Sequence, residues 1–180
     1  LRRHIPIYLG AEGPKNVAQT AEIADGWLPL YYSPYRQDVY ADQLAGAKEG
    51  FQVAALAMFG VTADDEPQTI EDALAGTRAM LAFYIGGMGA KGQNYHTKLA
   101  ARMGLGSQAE RIQDLFFEGR GDEAVYEVPV EFADEISLVG TPARIADRVA
   151  AWKDSAVTEI LVACGSVDQV RQAAEIILPV

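Results

Sequence analysis

The sequence predicts an α/β fold built on a parallel sheet. Three features carry this expectation. A strand, a glycine-bearing turn, a helix and a second strand follow one another between Ile5 and Leu30; so compact a βαβ unit makes its two strands parallel. The run from Phe51 to Thr62 is almost continuously apolar, as suits a strand covered by helices on both faces. Strand–helix alternation then returns at the end of the chain, where Glu159 to Ala163 precedes a helix from Val167 to Leu178.

The elements follow in order. Ile5, Ile7 and Leu9 give a first apolar strand, and Gly10 and Gly13 punctuate the turn after it. Pro14 suits the first helical position, where its missing N–H costs nothing. Val17, Ala21 and Ala24 recur at helical spacing, and Asp25-Gly26 closes that helix. A second strand runs from Trp27 to Tyr32. Ser33-Pro34 opens a helix to Glu49, which Gly50 ends. After the third strand, acidic residues Asp64, Asp65 and Glu66 followed by Pro67 open a helix to Ile85. The segment from Gly86 to Ser137 is irregular, with short helices over Asn94–Met103 and Ser107–Glu118, then Asp122–Tyr126 and a helical turn or two from Pro129. It reads as a helical insertion at 86–137 after the third strand. Thr141-Pro142 starts a helix to Asp154, and Glu159 to Ala163 is the fourth strand. Four strands alternating with helices fit either a small open doubly wound sheet or half of an eight-stranded barrel. Apolar strands at two open edges argue against the first.

The 180 residues form one domain or part of one, with 15 basic and 25 acidic residues and a net charge of -10. That balance is unsuited to nucleic acid or anionic membrane. A single cysteine permits no intrachain disulfide and fits a cytoplasmic location. The opening residues LRRHIPIYLG read as a first strand and not as a signal peptide. No apolar stretch approaches the ~18 residues of a membrane span.

Few residues announce chemistry. His4, His96 and Cys164 make no zinc pattern, and neither a G-x-S-x-G elbow nor a phosphate-binding lysine loop is present. Cys164 reads as a small core residue. The free N–H groups opening the first helix form an anion site, with Lys15 adding charge, or else the turn is an ordinary tight connection. Glu12 lies in that turn, at the strand end where barrels place functional groups, or is a solvated loop acid. Tyr31, Tyr32 and Ser33 sit at the same end of the second strand and either wall a pocket or pack. Tyr84, Tyr95 and the GGMGAKG turn form a lid or a loop that needs glycines to bend. Asp64-Asp65-Glu66 reads as a helix-start cluster and not as a metal site.

Three stretches resemble one family. GAEGPKNVAQTAEIADGWLP is similar to the segment after the fifth strand of the luciferase-like monooxygenase superfamily, in the branch that uses the deazaflavin coenzyme F420. YIGGMGAKGQNYHTKLAARMG resembles that branch's inserted helical region, and LVGTPARIADRVAAW its G-T-P-x-x-I-A-x-R-V helix before the eighth strand. The resemblance implies a (β/α)8 TIM barrel of the bacterial luciferase type, of which residues 1–180 supply the C-terminal half, strands five to eight. It implies an oxidoreductase passing hydride between F420, or alternatively FMN, and an organic substrate. It places the cofactor tail on Gly10, Ala11, Glu12, Gly13, Pro14 and Lys15, with assistance from Ser33. The catalytic groups of the first four strands belong to sequence not present in these residues. Partners are then a small-molecule substrate and either a second copy or the N-terminal half. A non-catalytic half-barrel that oligomerises or binds a small molecule is the alternative.

Overall fold

The computed structural model describes residues 5–178, so His4 lies outside the described residues. The predicted opening unit is present as β1 (Tyr8–Gly10), α1 (Pro14–Ile23) and β2 (Gly26–Leu28). β1 starts later than its apolar residues suggest, and Ile5 and Ile7 are exposed. β2 also stops early. Pro29 has no N–H for the ladder, and Tyr31 adopts a left-handed backbone with φ 56°.

The helix expected from Pro34 to Glu49 is instead a 3₁₀ segment, Pro34–Tyr40, and a single turn, α2 (Ala41–Leu44). Arg36 breaks it with non-helical angles (φ -125°, ψ 21°). β3 (Gln52–Val61) lies where the apolar run places it. The next helix divides at Leu74 into α3 (Pro67–Ala73) and α4 (Ala75–Ala82), then widens into a π turn, Phe83–Gly87. The insertion holds α5 (Tyr95–Ala100), a second π turn over Ala101–Leu105, α6 (Gly106–Phe117), α7 (Gly121–Ala124) and α8 (Val130–Glu135). A fifth strand, β4 (Ser137–Gly140), was not expected; it is short, fully buried, and carries the chain into α9 (Pro142–Lys153). β5 (Glu159–Ala163) and α10 (Val167–Ile177) complete the described chain.

All strand pairings are parallel. β1 pairs with β2, β2 with the start of β3, and β5 with the other edge of β3. The short β4 pairs with the end of β3, where Met58 is matched by both Ser137 and Ala163. The main strands therefore add in chain order, as in a barrel segment; a doubly wound sheet reverses direction partway. That rules out the open doubly wound alternative.

Helices cover one face of the sheet. Trp27, Val53, Ala55, Ala57 and Phe59 point to the helices and are buried, with Trp27 meeting Tyr40 edge-on at 4.8 Å. The register places Leu28, Leu56 and Leu161 on the opposite face, where they remain 40%, 39% and 41% exposed. The expectation that β3 is buried on both faces is therefore corrected at Leu56. On this open face the Tyr8 ring crosses Gly26, where a Cβ would come within 2.5 Å of it. Its hydroxyl donates to Glu159 Oε1 at 3.1 Å, bridging the first strand to the last at the N-terminal edge.

At the opposite edge, Asp65 joins two strand ends. Its carboxylate accepts from the Thr141 N–H at 2.8 Å and the Thr141 hydroxyl at 2.7 Å. Gly140 makes this approach possible with φ 139°, because a Cβ there would lie 2.9 Å from Asp65 Oδ1. The Thr141 N–H and hydroxyl, with Arg144 nearby, hold the Asp65 carboxyl below its ordinary value. A depressed carboxyl stabilises the fold above its unfolded value and loses that contribution as pH falls through the lower folded value. The thermal midpoint should thus decline below about pH 4, and Asp65→Asn should flatten that acid limb. Leu74 is fully buried at the α3–α4 break. Leu74→Ala should cost ~2–5 kcal/mol in urea unfolding, because the break cannot collapse onto the void.

Candidate active site

The turn after β1 lies at the C-terminal edge of the sheet, and donors from three directions fix its carbonyls. Trp27 Nε1 donates to the Ala11 carbonyl at 2.8 Å. The Arg102 guanidinium, from the turn after α5, donates to the Glu12 carbonyl. The Val17 N–H donates to the Gly13 carbonyl at 2.9 Å and starts α1. A trans peptide points its N–H opposite its carbonyl, so the turn's amides face away from Trp27 and Arg102. The N–H groups of Glu12, Gly13, Lys15 and Asn16 have no partner among the described residues. Pro14 occupies the first helical position, and no side chain caps the helix. These four donors gather at the N-terminal end of a ten-residue helix, the end that carries its positive partial charge.

A cavity of about 420 Å³ opens in front of them. Gly10, Ala11, Glu12, Gly13 and Asn16 line it on one side, with Leu28 and Leu30 of the β2 end and Tyr95 and His96 of the insertion opposite. A Cβ built at Gly13 meets nothing within 4 Å, so the turn leaves open space before its amides. Lys15 is exposed and does not line the cavity. Ser33 is a correction. It is fully buried, its hydroxyl donates to Glu135 Oε2 at 2.7 Å, and it accepts the Tyr35 N–H to begin the 3₁₀ segment. Arg36 completes that junction with a two-pronged contact to Glu135 at 2.7 and 2.8 Å. Ser33 is therefore a brace under the site and not a wall of it.

Sequence reasoning read His96 only as part of an absent metal pattern, yet the structure brings it to the cavity. The π turn frees the carbonyls of Tyr84 and Ile85, and Asn94 Nδ2 donates to both at 2.8 and 2.9 Å. The other end of the same amide accepts the His96 N–H at 2.8 Å and caps α5. His96 is thus seated by a fully used asparagine. Its Nδ1 lies 2.9 Å from Glu12 Oε2 without an aligned hydrogen bond. Its ring meets Tyr84 edge-on at 5.0 Å and Tyr31 at 6.0 Å. Tyr31 is 5% exposed, and burial, with Tyr84 and Glu12 close by, pushes its hydroxyl well above the usual tyrosine range. Among the described residues no group of side chains is arranged to hold a metal ion, and no helix is long and apolar enough to cross a membrane.

Ser33→Ala should lower stability by about 1 kcal/mol in chemical unfolding, the usual net value of one buried hydrogen bond, because Glu135 keeps both contacts to Arg36.

Comparison with known proteins agrees with this architecture. Residues 1–159 match the profile of the luciferase-like monooxygenase family. A Mycobacterium tuberculosis protein provisionally named a coenzyme F420-dependent oxidoreductase is 41% identical over 98% of this chain and 52% of its own length. The 5,10-methylenetetrahydromethanopterin reductase of Methanopyrus kandleri is 27% identical over 88% of this chain and 44% of its own. In three dimensions the F420-dependent tetrahydromethanopterin reductase of Methanopyrus kandleri superposes with a TM-score of 0.65 at 24% identity, over 97% of this chain and 50% of that one. An F420-dependent secondary alcohol dehydrogenase gives 0.55 at 15% identity, over 97% and 47%. The chain spans about half the length of the relatives it matches. By fold, by sequential parallel sheet and by sequence, it belongs to the luciferase-like monooxygenase family.

Proposed function

We propose that this chain supplies strands five to eight of an eight-stranded parallel barrel whose cofactor is coenzyme F420, in an oxidoreductase that passes hydride to or from an organic substrate. The free amides before the 420 Å³ cavity carry this reading, since they lie at the strand ends where barrels build their sites. Named relatives that use F420 favour it over FMN, which would offer the same turn a phosphate.

The residues present fit the tail of such a cofactor. Four unpartnered N–H groups match a phosphate's acceptor oxygens, and Gly13 leaves room for it. The deazaflavin itself would supply the carbon that carries hydride. The chain's part is to seat and orient it, with Trp27 and Arg102 holding the turn rigid and Leu28 and Leu30 providing an apolar wall. The open face with Leu28, Leu56 and Leu161, and relatives of twice the length, support a missing half that closes the barrel. The same exposed face supports a second reading, a half-barrel that pairs with its own copy and does no chemistry. The acidic charge and single cysteine support a cytoplasmic protein with a small-molecule substrate and no nucleic-acid or membrane partner.

Titration with F420, and separately with FMN, tests the reading; binding of neither overturns it. Gly13 has φ -70° and ψ 141°, which any residue adopts. Gly13→Leu should therefore fold normally and weaken F420 by about tenfold or more, one lost phosphate contact being worth roughly 1.5–3 kcal/mol.

A further inference from the structure

Five buried side-chain polar atoms lack a hydrogen-bond partner among the described residues, and four of them belong to Glu12, Tyr31, His96 and Arg102. Buried polar groups are almost always satisfied; Glu12 Oε2 and His96 Nδ1 face each other at 2.9 Å, which leaves the Tyr31 hydroxyl and Arg102 Nε beside them without a partner among the described residues. The cluster also contains a conflict. The turn's amides favour an anion, yet Glu12 puts a carboxylate into the same cavity, where it repels one. His96 lies against that carboxylate at 2.9 Å. With Nδ1 turned to Glu12, the other ring nitrogen, Nε2, is left for the cavity.

We propose that His96 is a ligand of the anionic group seated on the Glu12–Asn16 amides, and that Glu12 orients its ring and makes anion binding proton-linked. This rests on the reading of the turn as the cofactor's phosphate site. The doubly protonated imidazolium donates from Nδ1 to Glu12 and from Nε2 to a phosphate oxygen, and its charge offsets the carboxylate. The neutral ring, kept in the Nδ1–H tautomer by Glu12, presents a lone pair to the anion. The cavity then holds one uncompensated carboxylate, and affinity falls as pH rises. The other ionisable groups facing His96 are Tyr31 after β2, Tyr84 on the first π turn and, through Glu12, Arg102; Lys15 is on α1, and Tyr95 and Lys98 share its own helix. Arginine and lysine keep their charge across the range in which imidazole titrates, and burial keeps Tyr31 neutral there.

The test is calorimetric titration of the full chain with F420, and separately with inorganic phosphate, from about pH 6 to about pH 8, in buffers of different ionisation heat. Wild type should take up a proton on binding, and its affinity should fall by up to about tenfold per pH unit at the alkaline end. His96→Gln should lose the proton uptake, show a flat pH profile, and bind about 10–100-fold more weakly at about pH 6, the worth of one charge-assisted hydrogen bond. Glu12→Gln should bind more tightly than wild type at about pH 8. Should His96→Gln not fold, the wild-type proton count and Glu12→Gln decide the matter. F420 binding with no proton uptake and an unchanged profile in His96→Gln overturns the proposal and leaves the cofactor reading standing. Proton-linked binding of phosphate that His96→Gln abolishes, without any binding of F420, supports the His96 site and overturns the cofactor reading. Binding that strengthens with pH overturns the proposal.

Discussion

Parallel pairing is the constraint from which the rest of the structure follows. A parallel strand cannot be joined to its neighbour by a tight turn, so each connection must cross back along the sheet. The crossings cover one face with helices, and they gather the C-terminal ends of β1, β2, β3 and β5 at one edge. The turns that leave those ends are free to vary, while the strands beneath them are not. The glycine turn after β1, the strained Tyr31 after β2 and the Asp65–Thr141 tie beyond β3 and β4 all lie at that edge.

The glycine turn is held rigid on its carbonyl side and left unsatisfied on its amide side. Trp27 and Arg102 hold the carbonyl side of the turn, which leaves the amide side free without making the backbone mobile. The insertion contributes the opposite wall. The first π turn gives up regular helix bonding, and Asn94 uses both ends of its amide to repair that loss and to seat His96. Tyr31 is the one non-glycine residue among those described with positive φ, and it lies beneath the same histidine. Backbone strain thus lies beside the same cavity as the Glu12–His96 contact.

The sheet's two faces differ because only one is covered within these residues. The covered face buries Trp27 and the alanine-rich middle of β3, whose small side chains let helices approach closely. The other face leaves three leucines about 40% exposed, across which Tyr8 reaches to Glu159. The sequence of β3 is apolar on both faces, so it is written for a strand with neighbours on each side.

Periodicity and turn chemistry alone determined the opening βαβ unit with its glycine turn, and the placement of β3, β5 and the last two helices, because glycine, proline and short-range apolar spacing act within a few residues. They left β4 unseen, since a four-residue strand following a helical turn has no periodicity of its own to read. They placed Ser33 at the site because it ends the right strand, and only the packed structure shows its hydroxyl turned down to Glu135, 102 residues away. They passed over His96, which meets Glu12 across 84 residues of chain through a helix whose position Asn94 and the π turn decide. Contacts local in sequence were legible because their cause is local. The pairing of Glu12 with His96, and the one-sided burial of the sheet, came from tertiary packing, which brings distant residues together in ways that no window of the sequence contains.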